Sequence, residues 1–282
     1  MSGLNCNYSY RGKVRGKVLV KTIRVIVHGA TGKMGQEVVA AVSKASDMSL
    51  VGAVCNNPRN GSLDLPGDLG SIAMSTDLLQ VINDTHADVV VDFTNSEACM
   101  QAAKKTLFSK THFITGSTGL TENSLKLLHD SAMENHVGVI VASNFAMGAV
   151  LLMDLAKKAA AYFDYVDIIE SHHEEKLDAP SGTSLSLAKA ISENKIFKRS
   201  TSRTITLKDT TGGDFNGIGV HSLRQPGRLA HHEVIFGSSG QTLTLRHDTL
   251  DRGCCMPGVI LAIRKVQNTD GLIVGLDKIM EL

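Results

Sequence analysis

Residues 170 to 183 read Glu170-Ser171-His172-His173-Glu174-Glu175-Lys176-Leu177-Asp178-Ala179-Pro180-Ser181-Gly182-Thr183. Histidine and lysine are side chains that can move a proton near neutral pH, and His172, His173 and Lys176 lie close together. The stretch before them is β-branched, and a helical pattern follows Pro180. A strand therefore feeds a polar loop that feeds a helix N-terminus. Neighbouring histidines on an extended strand point to opposite faces. This geometry argues against a shared metal despite the nearby glutamates. It fits one histidine in a cleft and the other turned away or at the cleft edge. Ser181-Gly182-Thr183 offers hydroxyls and backbone N–H groups at a helix start, which suit a carboxylate or a phosphate. Lys176 adds a full positive charge and a candidate proton donor. Taken singly, these are a solvated histidine pair, a surface lysine and an N-cap; taken together they point to proton transfer on an anionic ligand.

A second constellation lies near the start of the chain. A β-branched run over 23–27 ends at Gly29, and Met34, Val38, Ala41 and Val42 then mark one helical face. Gly29, Gly32 and Gly35 occupy the turn at Gly-x-x-Gly-x-x-Gly spacing. Such a turn lets backbone N–H groups approach a pyrophosphate, with the helix N-terminus adding partial positive charge. The spacing departs from Gly-x-Gly-x-x-Gly, so the strand–turn–helix context carries the dinucleotide reading; the alternative is an ordinary tight turn. The next strand, over 50–54, runs into Cys55, Asn56, Asn57, Pro58 and Arg59, without the carboxylate that commonly holds the ribose hydroxyls of NAD. Its absence removes repulsion against a 2′-phosphate, and Lys33 and Arg59 are cations at the right end of the sheet. The reading leans to NADPH, or to use of both NADPH and NADH; the alternative is that both cations are solvated surface residues.

These two sites need a scaffold. Strand patterns over 88–93, 112–115 and 138–142, with a helix over 121–136, continue the βα repeat to about residue 145 and predict a parallel, doubly wound sheet. After Asn144 a long apolar helix over 149–162 precedes strands over 166–170, 203–207, 219–224, 233–236 and 241–247, interrupted by a helix over 181–193. This is an open sheet of α+β type. A helix over 257–266 and a strand over 271–275 close the chain. A basic cluster, Arg224, Arg228, His231, His232, Arg246, His247 and Arg252, reads as strand pairing and subunit contacts rather than anion binding.

Composition narrows the class. The 282 residues are 43% hydrophobic and 20% charged, with 29 Lys+Arg against 28 Asp+Glu, a formal net charge of +1. Such a chain can bury a core and lacks the electrostatic footprint of a nucleic-acid binder. No apolar run is long enough to cross a bilayer. Cys6, Cys55, Cys99, Cys254 and Cys255 form no CxxC, so neither a disulfide framework nor a structural zinc site is expected, and the chain reads as reduced and cytoplasmic. Residues 1–21 carry five of the cations and no acid. They read as a basic, disordered leader or an early start, with a targeting remnant of an organelle such as the chloroplast as the alternative.

The stretch over 170–183 closely resembles the signature of the 4-hydroxy-tetrahydrodipicolinate reductase (dihydrodipicolinate reductase) family, E-x-H-H-x-x-K-x-D-A-P-S-G-T. Val91-Asp92-Phe93-Thr94, Gly116-Ser117-Thr118-Gly119 and Ala142-Ser143-Asn144-Phe145-Ala146-Met147-Gly148 follow in the family's order, and the tail resembles members from cyanobacteria and plants. The resemblance covers the chain from about residue 22 onward. It implies an N-terminal Rossmann-like dinucleotide-binding domain (22–147 plus 253–282), completed by the C-terminal segment, and an inserted α+β open-sheet domain (148–252) for substrate binding and oligomerisation. It further implies His172 as catalytic histidine, Lys176 as proton donor, and His173, Gly182 and Thr183 as contacts to substrate carboxylates. Gly29, Ala30, Thr31, Gly32, Lys33 and Met34 would hold the pyrophosphate; Gly116, Ser117, Thr118, Ala142, Ser143, Asn144 and Phe145 would line the nicotinamide side. The implied reaction is NAD(P)H-dependent reduction of a small cyclic dicarboxylate in lysine and diaminopimelate synthesis by a homotetramer, with no metal, nucleic-acid or membrane partner. Two departures stand out: the missing second-strand acid, and Gly-Ser-Thr-Gly in place of the commoner Gly-Thr-Thr-Gly, where serine keeps the hydroxyl. Competing readings are a semialdehyde or homoserine dehydrogenase, which lacks a suitably placed cysteine here, and a non-catalytic relative, which would be expected to lose the His-His-x-x-Lys set.

Overall fold

The computed structural model describes residues 22–57, 61–193, 195–208 and 210–282. The basic leader, Cys6 and Arg59 lie outside the described residues. The strands are β1 (Ile23–His28), β2 (Met48–Val54), β3 (Ser62–Asp64), β4 (Ser71–Ser75), β5 (Val89–Asp92), β6 (His112–Thr115), β7 (Gly138–Val141), β8 (Tyr165–His172), β9 (Gly213–Phe215), β10 (Ile218–Arg224), β11 (Ala230–Ser238), β12 (Gln241–Thr249) and β13 (Gly271–Val274). The helices are α1 (Lys33–Lys44), α2 (Leu78–Thr85), α3 (Ser96–Phe108), α4 (Glu122–Asn135), α5 (Met147–Ala160), α6 (Gly182–Ile191), α7 (Met256–Val266) and α8 (Leu276–Met280).

The first sheet runs β13-β7-β6-β5-β1-β2-β4-β3. Its strands pair in parallel except β3 with β4. Both faces are covered, so the central strands are apolar throughout rather than alternating. Val25, Val27, Val89 and Val91 face one layer, which holds α1, α7 and α8; Ile26 and Val90 face the other, which holds α2, α3 and α4. The chain's last elements belong here. Strand β13 pairs with β7, Leu272 opposite Val139, and Arg264 on α7 donates from Nε to Asp47 Oδ2 at 2.7 Å.

The second sheet runs β12-β11-β8-β10-β9 and is mixed: β8 pairs parallel with β10 and antiparallel with β11. One face packs on α5 and α6 through Val166, Ile168, Val220, Val234 and Phe236. The other carries Asp167, Ile169, Glu233, Ile235, Leu223 and Tyr165, with Leu223 and Tyr165 exposed.

Two differences from the sequence reading have physical causes. The run over 203–207 alternates Thr204 and Thr206 with Ile205 and Leu207 but forms no strand; Ile205 is exposed and, among the described residues, no neighbouring strand pairs with it. Helices α2 and α3 and strands β3 and β4 fall where the sequence pattern marks no element. Helix α3 is rich in alanine with a short apolar stripe, and β3 is three residues long, so neither carries a strong period.

Candidate active site

The site begins as a continuation of strand parity. On β8, Val166 and Ile168 enter the core, and Glu170 and His172 are the next two positions on the same face. Register brings their neighbours into line. Ser222 on β10 and His232 on β11 flank Glu170, while Arg224 and Ala230 flank His172. Where the apolar layer stops, the same face continues as a polar cluster under the N-terminus of α6.

Glu170 is fully buried, and its carboxylate is gripped by Arg224 from Nη1 at 3.0 Å and Nη2 at 2.8 Å. The backbone N–H of Ser181 donates to it at 3.3 Å, and His172 Nδ1 donates to its other oxygen. Burial raises the Glu170 carboxyl, but the hydrogen bonds from Arg224, Ser222 and His172 outweigh it and hold the group below the usual carboxylate range. For His172, burial pulls the ring below the ordinary imidazole value against the opposing pull of Glu170, and the Lys176 and Arg224 charges add to the lowering. With Nδ1–H committed to Glu170, Nε2 is the ring nitrogen left for a ligand. His232 lies edge-on to His172 at 5.4 Å between centroids. Burial, then the His172 charge, push His232 down to about 4.

Past β8 the chain turns. His173 lies just beyond the strand and is half-buried, whereas His172 is buried. Lys176 donates from Nζ to Asp178 Oδ1 at 2.6 Å. Asp178 is held below its usual range chiefly by Lys176, with the Gly182 N–H also facing it. Ser181 caps α6, its Oγ accepting from Ser184 N at 3.2 Å. That cap serves the third helical residue and leaves the N–H groups of Gly182 and Thr183 outside its reach.

The glycine turn forms at the end of β1. Gly29 has φ +82°, and a Cβ there would meet Phe93 O and Thr94 Cγ2 at 2.9 Å, so no other residue fits. Gly29 and Ala30 donate their N–H groups to Val54 O, which ties the turn to β2. The N-cap of α1 is Gly32, with no side chain to satisfy the first amides of the helix, so Lys33 and Met34 begin it uncapped. Thr31 and Gly32 line a cleft of about 590 Å³ together with His28, Cys55, Asn56, Asn57 and Phe93. An uncapped helix start beside a glycine turn at the C-terminal ends of parallel strands fits a dinucleotide pyrophosphate. Ala30 and Phe145 have side chains sealed in the core, so only their backbones can face a ligand. Ser117 is buried as well, whereas Thr118 is exposed.

The structure brings the start of α6 to the segment that follows β7. Ser143 and Asn144, at the end of β7, share a cavity of about 250 Å³ with Thr183 of α6 and Asp277 of α8. It also draws in residues the sequence reading placed elsewhere. Arg224 and His232, assigned to strand pairing, touch the Glu170–His172 pair. Two others of that cluster do pair strands: His231 donates to Asp248 at 2.6 Å, and Arg246 binds Asp248 and Glu233. Only the register of β10 and β11 against β8 separates the two groups.

Comparison with known proteins follows this division. Residues 23–145 match the family model described as dihydrodipicolinate reductase, N-terminus, and residues 148–280 the model described as dihydrodipicolinate reductase, C-terminus. A 4-hydroxy-tetrahydrodipicolinate reductase of Dehalococcoides mccartyi is 42% identical over 260 residues, covering 92% of this chain and 99% of the relative. One from the cyanobacterium Synechococcus elongatus is 41% identical over 276 residues, covering 92% and 98%. Among solved structures, a dipicolinate-bound dihydrodipicolinate reductase from Paenisporosarcina sp. TG-14 superposes with a TM-score of 0.82 at 37% identity, covering 91% of this chain and 99% of that one. With both halves matched and the likeness running almost end to end, the chain belongs to the dihydrodipicolinate reductase family.

Proposed function

We propose that the protein reduces 4-hydroxy-tetrahydrodipicolinate to tetrahydrodipicolinate with NADPH or NADH, releasing water and the oxidised dinucleotide. The observation that carries the reading is the grouping of His172, its Glu170–Arg224 support, Lys176 and the N–H groups of Gly182 and Thr183 that the Ser181 cap does not serve, in a chain that also holds a glycine turn fit for a dinucleotide. The cofactor, when bound, supplies hydride. Thr31, Gly32, Lys33 and Met34 hold its pyrophosphate, and Gly116, Thr118, Ser143 and Asn144 line its nicotinamide side. The substrate carries two carboxylates. His173 and the N–H groups of Gly182 and Thr183 bind them, and the way Lys176 and Gly182 already face the Asp178 carboxylate supports that assignment. Hydride addition leaves negative charge on the conjugated ring system, and Lys176 supplies the proton, with His172 as the catalytic histidine beside it. The cofactor domain comprises 22–147 and 253–282, the substrate domain 148–252, and closure of one on the other shields the transfer from water.

The end of β2 offers Cys55, Asn56 and Asn57 to the cleft and no carboxylate, which favours NADPH over strict NADH use. The protein assembles as a homotetramer through the uncovered face of the second sheet, and works in the cytoplasm; among the described residues no helix is long and apolar enough to cross a membrane. The test is oxidation of NADPH and of NADH by the purified protein, with substrate generated in place from pyruvate and aspartate semialdehyde by a synthase. Rapid, synthase-dependent oxidation is expected, faster with NADPH. Cofactor binding without oxidation would overturn the assignment.

A further inference from the structure

Strand β5 ends at Asp92, whose carboxylate is wholly buried. Four side chains from different places converge on it. His28 donates from Nδ1 at 2.7 Å and Thr94 from Oγ1 at 2.7 Å to one oxygen. Thr115 and Ser117 donate from their hydroxyls, each at 2.8 Å, to the other. Burial raises the Asp92 carboxyl, but these four donors outweigh it and keep the group below its ordinary value, hence anionic. Because the acceptor is a carboxylate, every partner must be the donor. Thr115 Oγ1 meanwhile accepts from the Ser117 N–H at 2.9 Å, which fixes the first turn of the 116–119 loop. The Ser117 hydroxyl therefore points inward and is spent on Asp92; the loop's exposed hydroxyl is that of Thr118.

The two residues after Asp92 touch the rest of the cofactor machinery. A Cβ at Gly29 would strike Phe93 O and Thr94 Cγ2 at 2.9 Å. A Cβ at Gly116 would lie 2.2 Å from the Phe93 ring. That ring also meets Phe145 at 5.6 Å between centroids. All three segments assigned to the dinucleotide thus close on one short brace. Nothing in the reaction itself calls for a buried anion at this place, on the cofactor side and away from the proton donor.

We infer that Asp92 is a positioning residue for the cofactor: its charge sets the conformation of the 116–119 loop, through Thr115 and Ser117, and so the fit of the nicotinamide end of the dinucleotide. This role rests on the reductase reading above. Hydrogen bonds to a buried charge are strong, and an amide in place of the carboxylate turns one acceptor oxygen into a donor that faces other donors. The loop then loses its anchor; the pyrophosphate turn, also touched through His28 and Thr94, keeps its own hydrogen bonds to Val54 O, and Ser117 reaches the loop alone.

The test compares the reduced dinucleotide, titrated through its own fluorescence, with the same molecule lacking nicotinamide: ADP-ribose, or its 2′-phosphate where NADPH is preferred. Asp92→Asn, which also touches His28 and Thr94, is expected to weaken the dinucleotide about tenfold or more and by more than the fragment, and Ser117→Ala to weaken the dinucleotide about threefold with the fragment changed by less than about twofold. Unchanged dinucleotide affinity in both variants, or equal losses for dinucleotide and fragment, would overturn the positioning role. Should Asp92→Asn fail to fold, Ser117→Ala decides by the same criterion. An unaltered protein that binds neither NADPH nor NADH would overturn the reductase reading and this role with it, whereas a normal wild-type titration with normal variants removes this role alone.

Discussion

Glu170, His172 and Arg224 divide the work at the candidate active site. Arg224 keeps the buried Glu170 ionised, and Glu170 in turn fixes the His172 ring through Nδ1, so Nε2 is left for the substrate. Lys176 is different in kind: it stands on a loop, is largely shielded, and pairs with an exposed aspartate. A group so placed can exchange Asp178 for a substrate carboxylate without disturbing the core. Lys176→Ala is accordingly expected to lower kcat by roughly 10²-fold or more with NADPH affinity within about twofold of the unaltered protein, measured by steady-state kinetics beside a fluorescence titration. Near-normal turnover would remove Lys176 from the chemistry.

Among the elements, β8 sets the site because it is partnered on both sides. Its alternation carries Val166, Ile168, Glu170 and His172 in one row, and β10 and β11 deliver Ser222, Arg224 and His232 to that row. His232 is a pH-dependent strut in this arrangement, its Nε2 set 3.3 Å from the Oγ of the α6 cap Ser181. Burial lowers it to about 4, from an ordinary imidazole value near 6.5 in the unfolded chain. Between those values the unfolded chain binds the extra proton, so stability rises with pH across the window and is lost as pH falls from about 6.5 to 4. The contribution is at most about 3 kcal/mol, and His172 acts in the same direction. Melting followed by circular dichroism should show a shallower fall over that window in His232→Asn than in the unaltered protein. An identical fall in both would exclude the strut.

At the scale of the whole molecule, one sheet is buried on both faces and the other on only one. The open face of the second sheet is cross-linked by charge, with His221 to Asp167 and Arg246 to Glu233, yet it also presents Ile169, Ile235, Leu223 and Tyr165. Antiparallel and mixed sheets often leave a solvated face, but such an apolar scatter over a whole sheet suits a second copy better than water. Ile235→Asp is expected to convert the proposed tetramer to smaller species by light scattering, with the NADPH affinity of the first domain retained. A mass of one chain for the unaltered protein would refute the assembly.

The order of elements was legible because local physics writes it. β-branched runs, glycine turns and the apolar stripe of α1 announced a parallel sheet, and the spacing of His172, Lys176 and Ser181–Thr183 announced proton transfer and anion binding. The return of β13 to the first sheet was expected from the family resemblance rather than from any local pattern. The shortness of α2 and the weak period of α3 hid those helices, and the alternation over 203–207 misled because alternation marks a strand only where a neighbour pairs with it. What no local pattern contains is who meets whom across the fold. Glu170 finds Arg224 at a separation of 54 residues, and Asp92 finds His28 at 64 and Ser117 at 25. Those partners are chosen by strand order and register, which are set by burial of whole faces. The sequence therefore names the groups proposed for the chemistry, and the tertiary structure decides which buried charges hold them in place.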